Sequence, residues 1–508
     1  MKKILRFLTQ RVVLTALLIL IQALLLFGII WKLNNYFIYF YAFSVLLSLL
    51  LTLRIINNKS NPAFKIAWLI PILLFPVLGG LVYLVFGSDR TGKYIRNKMG
   101  RIEKEMQDGI SKANERSGIE KMPPDVVNQS HYISNSAHCP PYKNTTVEYL
   151  PMGEVKFERM VQELKKAKRY IFMEYFIIQE GTMWNTILDV LEEKAKEGVD
   201  VRVIYDDMGC ILTLPTGYEK TLREKGIQCQ IFNPFIPILS SHFNTRDHRK
   251  ICVIDGNVGF TGGINLADEY INGYEKHGHW KDTAILLKGE AVFSLTTMFL
   301  SMWDYLIKKE GEDYAAYYPD SWDENAQGIV QPFADNPLDD EAVGETVYLN
   351  LINKAKRYVY ITTPYLILSN EMVTAMNTAA KSGVDVRIIT PHVPDKWYVH
   401  AVSRSYYEML VEAGVKIYEY TPGFVHAKTF VVDDEYAVVG TINLDYRSLY
   451  LHFECAAWMY KASCVTDVRD DFLKTQQMSQ EITLEECRNI SIPRRLGRSI
   501  LRVLAPLM

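Results

Sequence analysis

HRKICVIDGNVGFTGGIN (His248–Asn265) returns later in the same chain as HAKTFVVDDEYAVVGTIN (His426–Asn443). Each reads His-x-Lys, four residues, Asp, and then a Gly-x-x-Asn turn. KICVID and KTFVVDD have the β-branched, apolar character of strands. Side chains two apart on a strand point the same way, so His248 shares a face with Lys250, and His426 with Lys428. One such pair is a weak signal that surface strands produce by chance. Two copies with the same downstream turn, at equivalent places in a repeat, are a strong one.

The repeat is legible outward from both motifs. AKRYIFMEYFII at Ala167 answers AKRYVYITTPYLI at Ala355, GVDVRVI at Gly198 answers GVDVRII at Gly383, and KGIQCQIF at Lys225 answers AGVKIYEY at Ala413. The order is the same throughout, which marks one fold unit written twice. Within a unit, Val155, Phe157, Met160, Val161 and Leu164 give Glu154–Lys168 a helical spacing, RYIFMEYFI reads as a strand, Asn185–Lys196 is helical again with Gly198 as its stop, and VDVRVIY is the next strand. Helices alternating with strands predict an α/β fold with helices covering a largely buried sheet.

Two such units packed about a pseudo-twofold axis would bring the half-sites together around one cleft. It would hold two imidazoles, two ammoniums and two Asn amides, a set that suits a phosphodiester. The anionic oxygens call for fixed positive charge and N–H donors, which Lys250, Lys428, Asn265 and Asn443 supply. One histidine can attack phosphorus while the other protonates the departing alkoxide. Residue type alone does not decide which does which.

Composition narrows the partners. The chain has 508 residues, 49% hydrophobic and 22% charged, with a net charge of −2. That gives no global field to attract nucleic acid. The seven cysteines are scattered, without C-x-x-C spacing, which disfavours a disulfide framework or structural zinc. His277 and His279 in HGHW lack an evident third ligand, so they read as a solvated loop rather than a metal site, and no cofactor is expected.

Three apolar runs, Val12–Trp31, Tyr36–Leu53 and Ile66–Phe86, open the chain. About 20 helical residues cross ~30 Å of hydrocarbon, so each run approaches or reaches a span. A signal peptide is the rival reading of the first, but no small-residue cleavage site follows it. Lys2, Lys3, Arg6 and Arg11 precede the first run; Arg54, Lys59 and Lys65 separate the second and third; Arg90, Lys93, Arg96, Lys98, Arg101 and Lys104 follow. Basic residues stay on the cytoplasmic side, and all three clusters can do so only if two runs span and the third, broken by Pro71, Pro76, Gly79 and Gly80, dips in and returns. At the other end SIPRRLGRSILRVLAPLM (Ser491–Met508) sets Leu496, Ile500, Val503, Leu504 and Leu507 near one helical face beside Arg494, Arg495, Arg498 and Arg502. It reads as an interfacial helix on anionic lipid, the alternative being a core-packing helix.

The doubled His-x-Lys-x4-Asp motif resembles the phospholipase D superfamily, and more closely its bacterial cardiolipin synthases. NTRDHRKICVIDGNVGFTGGINLADEY, SRSYYEMLVEAGVKIYEYTPGFVHAKTFVVDDEYAVVGTINLDYRSLYLHFE, NPAFKIAWLIPILLFPVLGGLVYLVFG and the Arg-rich tail ending LAPLM carry the resemblance, which covers nearly the whole chain. It implies two duplicated phospholipase D-like α/β/α units behind N-terminal transmembrane helices, in a multi-pass protein of the bacterial cell membrane with the units on the cytoplasmic face. It implies metal-free joining of two phosphatidylglycerols into cardiolipin and glycerol through a phosphatidyl-histidine, with His248 as nucleophile and His426 as general acid. It also implies an acidic partner for each histidine, at Asp282 in HWKD and Glu454 in LHFE. Asp255 and Asp433 complete the catalytic motifs and are expected to brace the strand ends. Gly263 and Thr441 are expected to meet the substrate with Asn265 and Asn443. TPYLILSNEM (Thr363–Met372) departs from the family's usual aromatic and Pro-Asp-Glu. The expected organisation is a membrane anchor at 1–90, a basic linker at 91–143, a first unit at 144–310, a connector at 311–345, a second unit at 346–482 and an amphipathic tail at 483–508. The oligomeric state is left open.

The same chemistry would serve a plain phospholipase D, a phosphatidylserine synthase or a nuclease. A nuclease calls for a basic, aromatic-interleaved groove and no anchor. An inactive lipid-binding scaffold would have lost a motif histidine or lysine, and none is lost.

Overall fold

The computed structural model describes residues 11–32, 37–87, 96, 99, 100, 102, 118–235, 244–309, 313–339 and 341–507. The basic residues Lys2, Lys3, Arg6, Arg90, Lys93, Lys98, Arg101 and Lys104 and the turn at Asn34–Asn35 lie outside them. Helices α1 (Arg11–Lys32) and α2 (Phe37–Ile56) come first. Among the described residues no helix is long and apolar enough to cross a membrane. Side chains are described only from Leu17 in α1, with gaps, and without interruption only from Tyr41 in α2. The expectation of two spans therefore goes beyond the described structure.

The third apolar run is broken in two, α3 (Pro62–Leu74) and α4 (Pro76–Val82). Asn61 caps α3 by accepting from the Ala63 amide, and Pro62 fills its first position. The helices meet so closely at Gly79 that a Cβ there would lie 2.2 Å from the Pro71 carbonyl oxygen. Leu51 and Ile55 of α2 pack with Ile72 and Tyr83 in a small core of their own.

The linker is not featureless, for α5 (Pro124–Ala137) packs against the second unit. Gln331 donates to the Ser130 and Cys139 carbonyls, and Tyr436 to Asp125. The first unit comprises β1 (Thr145–Leu150), α6 (Gly153–Leu164), β2 (Tyr170–Tyr175), α7 (Thr182–Lys196), β3 (Asp200–Asp206), β4 (Gln228–Phe232), β5 (Arg246–Asp247), β6 (Lys250–Ile254), β7 (Val258–Gly262), β8 (His279–Lys281), β9 (Ala284–Gly289) and α8 (Val292–Ile307). The second comprises β10 (Ile329–Asp335), α9 (Val343–Lys354), β11 (Tyr358–Thr362), α10 (Asn370–Lys381), β12 (Asp385–Pro391), α11 (Trp397–Val411), β13 (Lys416–Tyr420), β14 (Gly423–Val425), β15 (Thr429–Val432), β16 (Tyr436–Gly440), β17 (His452–Tyr460), α12 (Val465–Gln477) and β18 (Ser479–Ile482). The tail forms α13 (Ile492–Leu504).

Strand order runs β1-β9-β7-β6-β2-β3-β4 in the first sheet and β10-β17-β16-β15-β11-β12-β13 in the second, which then adds β18. The two are the same arrangement. In both, the crossover strands pair in parallel and the motif strands β6 and β15 run antiparallel to their neighbours. β6 and β15 are buried along their whole length, which accounts for their unbroken apolar runs. From Val292 to Asp304 α8 is buried on every side, because it lies against both the first sheet and β10.

β10 lies inside the 311–345 segment expected to be a connector, so the second sheet begins earlier than its composition indicates. Pro332 and the surrounding Asp, Asn and Gly residues hide the strand. On α13, Ile492, Leu496, Ile500 and Val503 are exposed, while Ala505 and Pro506 just beyond its end are buried. All seven cysteines are buried and unbridged.

Candidate active site

Two very short strands cross between the units. β5 pairs in parallel with β17, His452 opposite Arg246 and Phe453 opposite Asp247. β8 pairs in parallel with β14, Trp280 opposite Phe424 and Lys281 opposite Val425. Each motif histidine sits directly after one of these exchanges. The His248 amide donates to the Phe453 carbonyl at 2.9 Å, and the His426 amide to the Lys281 carbonyl at 2.7 Å.

The exchange carries the carboxylates across. His248 Nδ1 lies 2.9 Å from both oxygens of Glu454, a second-unit residue. His426 Nδ1 lies 2.7 Å from Oδ2 of Asp282, a first-unit residue. A carboxylate accepting the Nδ1 proton fixes the tautomer and leaves Nε2 free as the reacting nitrogen. Burial pushes His248 down to about 3 and His426 to about 4, against the pull of their carboxylates, so both rings are neutral near pH 7 without a ligand. Burial alone would push both carboxyls up. Facing imidazoles carry Glu454 well below its usual range, and His426 with Lys428 lowers Asp282.

The lysines stand beside them. Lys250 Nζ donates to the His248 carbonyl at 2.6 Å, and Lys428 Nζ to the His426 carbonyl. Lys428 Nζ is also 2.9 Å from His426 Nδ1. That nitrogen cannot both accept from Lys428 and donate to Asp282, and the shorter contact goes to Asp282. Burial pushes Lys250 down to about 8 and Lys428 to about 7. Two depressed ammoniums beside two imidazoles form a cluster whose charge a monoanionic phosphodiester would balance.

Asp255 and Asp433 stand apart from this cluster. Asp255 accepts from the amides of Lys168, Arg169 and Tyr170, and Asp433 from those of Lys356, Arg357 and Tyr358. Both sit in the left-handed region, at φ 53° and 55°. They pin the turn after each motif strand to the start of its neighbour. The two Asn residues differ. Asn265 is engaged through both amide atoms, accepting from the Ile177 amide and donating to Tyr270 at 2.7 Å, whereas the buried Asn443 Oδ1 has no hydrogen-bond partner among the described residues. Thr441, expected to face substrate, instead donates to Glu454 at 2.5 Å. Gly263, its counterpart, lies so close to Asp282 that a Cβ would come within 2.1 Å of Oδ1.

Aromatic walls went unread in the sequence. Tyr270, Trp280 and Phe424 ring His426 at centroid distances of 5.6, 5.6 and 5.9 Å, and Phe176 lies edge-on to His248 at 5.1 Å. Their signal was position alone, beside motif residues. In TPYLILSNEM, Leu366, Ile367 and Leu368 are core residues and Ser369 caps α10. His279 accepts from or donates to Tyr420 at 2.9 Å, and His277 packs on Trp280 and Phe424. His452 is unexpected: its two buried ring nitrogens have no hydrogen-bond partner among the described residues, and its Nδ1 is 3.7 Å from Glu454. One ligand atom each from His248, His452 and Glu454 lie within 4.8 Å of one another, a donor set that could hold a metal ion. Ligation through Nδ1 would displace the Glu454 hydrogen bond that orients His248.

A family model described as "Cardiolipin synthase, PLD-like domain" matches residues 160–303 and 348–476, and one described as "Phospholipase_D-nuclease N-terminal" matches residues 46–88. A cardiolipin synthase of Alkalihalophilus pseudofirmus is 36% identical over 455 residues, 89% of this chain and 90% of its own. An uncharacterized protein of Streptococcus mutans is 46% identical over 461 residues, 90% of this chain and 99% of its own. The crystal structure of phosphatidylserine synthase from Haemophilus influenzae Rd KW20 superposes with a TM-score of 0.59 over 75% of this chain and 100% of that chain. At 14% identity that likeness is one of fold.

Proposed function

The chain belongs to the bacterial cardiolipin synthase family of the phospholipase D superfamily, and on that premise we propose that it transfers a phosphatidyl group from one phosphatidylglycerol to another, releasing glycerol. It is a phosphatidyltransferase. The observation that carries the reaction is the reciprocal bracing of two imidazoles by carboxylates from opposite units.

In the first step His248 Nε2 attacks phosphorus, the bond to the glycerol oxygen breaks, and His426 gives that oxygen its proton. In the second, a glycerol hydroxyl of another phosphatidylglycerol loses its proton to His426 as its oxygen attacks phosphorus, and the P–N bond breaks. A phosphodiester is exchanged for a phosphodiester, so the reaction runs at little cost and added glycerol reverses it. Because both rings are neutral without ligand, His426 takes its proton from solvent as the substrate binds, when the phosphate's negative charge raises the imidazole's affinity for it. Lys250 and Lys428 hold the phosphate oxygens. Asn443, with its unpartnered amide oxygen, takes the glycerol hydroxyl, while Asn265 acts through Tyr270 and the Ile177 amide.

Phosphatidylglycerol vesicles with radiolabelled headgroup should release free glycerol and cardiolipin in equal amounts. Phosphatidic acid as the main product would make the enzyme a phospholipase D, and efficient transfer to serine would make it a phosphatidylserine synthase.

We infer that the chain sits in the bacterial cell membrane, its anchor in α1 to α4 and its catalytic units on the cytoplasmic face. Supporting this are Leu24, Leu25, Phe27, Phe43, Leu49 and Leu50, all more than half exposed, an arrangement that water disfavours and lipid does not. A cysteine replacing Asn35 should react with an impermeant thiol reagent in intact cells, and one replacing Ser321 should not. The reverse pattern would invert the topology.

A further inference from the structure

A second basic site lies away from the imidazoles. Between α11 and α13 is a cleft of about 330 Å³, whose lining includes Arg404, Ser405, Arg495, Arg498, Ser499 and Arg502. Its carboxylates are already engaged. Glu408 and Glu412 pair with Arg488 at 3.3 and 2.8 Å, and Arg404 is held by the buried Glu419 at 2.7 and 2.6 Å. Among the described residues, no carboxylate lies within ion-pair distance of Arg495, Arg498 or Arg502. Arg495 donates to the Arg488 carbonyl, and Arg502 lies over the Tyr406 ring at 4.3 Å. Arg498 is half-buried, and that burial, with Arg404 and Arg494 nearby, makes its charge costly. Among the described residues, these three arginines are held together without an ion-pair partner, in a cleft whose two lining carboxylates already face Arg488, and two hydroxyls stand beside them.

The cleft borders an apolar surface. On α13 the pattern 492, 496, 500, 503 puts Ile492, Leu496, Ile500 and Val503 on one face, 84%, 61%, 54% and 41% exposed, flanking the arginine face. α3 packs beside α13 and exposes Ile66, Leu73 and Leu74. It is tied to the catalytic unit by Phe64, wedged edge-on against Tyr446 and Tyr450, and by Asn61 donating to Tyr450. A free phosphate would match the arginines and leave the apolar face in water. An anionic phospholipid matches both at once, its phosphate among the guanidiniums and its acyl chains along α13.

We propose that the α11–α13 cleft is a non-catalytic binding site for the headgroup of an anionic phospholipid, through which the tail seats the second unit on the membrane surface. α11 joins the two sites. Its carboxyl-terminal half lines the cleft, and just before its first residue Asp395 accepts a hydrogen bond from Tyr365, whose neighbours include Tyr270 beside His426.

The test uses the full-length chain carrying His248→Ala, so that no lipid is turned over, solubilised in neutral detergent. Native mass spectrometry counts the short-chain phosphatidylglycerol retained, against phosphatidylcholine and against inorganic phosphate as competitor. Adding Arg495→Gln and Arg498→Gln should remove one retained phosphatidylglycerol, weakening that event about tenfold to thirtyfold for two arginines at a lipid surface. Leu496→Glu with Ile500→Glu should remove it with the arginines intact, and equimolar inorganic phosphate should not displace it. In a second chain that keeps the native His248, the arginine pair should keep the p-nitrophenol burst from a soluble p-nitrophenyl phosphatidyl ester, which reports an intact active site. Unchanged retention, equal retention of phosphatidylcholine, or displacement by phosphate alone overturns the proposal. So does loss of the burst, which would make the arginines part of the fold rather than of a lipid site.

Discussion

The two half-sites share a frame and differ where their carboxylates are held. Glu454 accepts from Thr441 and Ser448, each at 2.5 Å, besides facing His248, and His452 stands near. Among the described residues, Asp282 faces His426 and takes only the Thr283 amide and the nearby Lys428 charge, with no hydroxyl. The longer Glu needs room, and Thr441 and Ser448 line that room. The shorter Asp is pressed against Gly263, where no side chain fits. A carboxylate that shares its charge among several donors pulls less on any one proton. In the proposed reaction Glu454 would thus hold His248 in place while leaving it a neutral nucleophile, and Asp282 would be free to stabilise the imidazolium that His426 forms as it exchanges protons.

The largest expected effect separates the histidines themselves. His248→Ala should abolish turnover of phosphatidylglycerol and of a p-nitrophenyl phosphatidyl ester. His426→Ala should lose roughly 10²–10⁴-fold on phosphatidylglycerol, where the leaving alkoxide needs a proton. It should still release a burst of p-nitrophenol and become phosphatidylated at His248. Rapid-quench kinetics and mass spectrometry of the adduct decide it. A burst from His248→Ala instead would exchange the roles.

Swapping the supports comes next. Gly263→Thr drives a side chain into Asp282 and should remove most activity, because the imidazole it orients is displaced. Thr441→Gly, which copies the first half-site into the second, should leave a folded enzyme slowed about tenfold to a hundredfold, the cost of one hydrogen bond to a charged group. If both lose activity equally, as read by kcat with circular dichroism to confirm folding, the asymmetry has no catalytic meaning.

A smaller effect follows from the ammoniums. A buried lysine whose pKa is depressed carries its charge below that value and loses it as pH rises. With Lys428 near 7 and Lys250 near 8, kcat/KM for phosphatidylglycerol should decline across about pH 7 to 9. Lys428→Arg stays charged and should carry the lower part of that decline upward. An identical alkaline limb in wild type and variant would remove the lysine from phosphate binding.

The smallest effect should be none. Full activity in chelator is expected, even though His248, His452 and Glu454 could gather a cation. Loss in chelator with recovery on adding a divalent ion would replace the metal-free route, and loss of that recovery in His452→Asn would locate the ion.

Much of this was legible beforehand. Period-two alternation placed each histidine with its lysine, and the repeat gave two equivalent units, because both signals are local. The pairing of His248 with Glu454 and of His426 with Asp282 is not local. It depends on β5 and β8, strands of two and three residues that no periodicity can reveal. β10 was lost in the composition of its surroundings. Asn265 and Thr441 carry the right chemistry for substrate, yet their hydrogen bonds turn inward, which only neighbours distant in sequence decide. Tyr270, Trp280 and His452 carry no motif.

The crossed strands also bear on what a fragment could do. A polypeptide ending near residue 310 would carry His248 without Glu454 and Asp282 without an imidazole to face. The second half alone would be deprived in the same way. Each half holds the other's missing part, like two keys to one lock, so under the proposed mechanism a nascent or proteolysed chain would carry no braced nucleophile to set loose among the phospholipids of its own cell. If the halves made separately regain turnover only when mixed, that dependence is built into the backbone rather than added by any regulator.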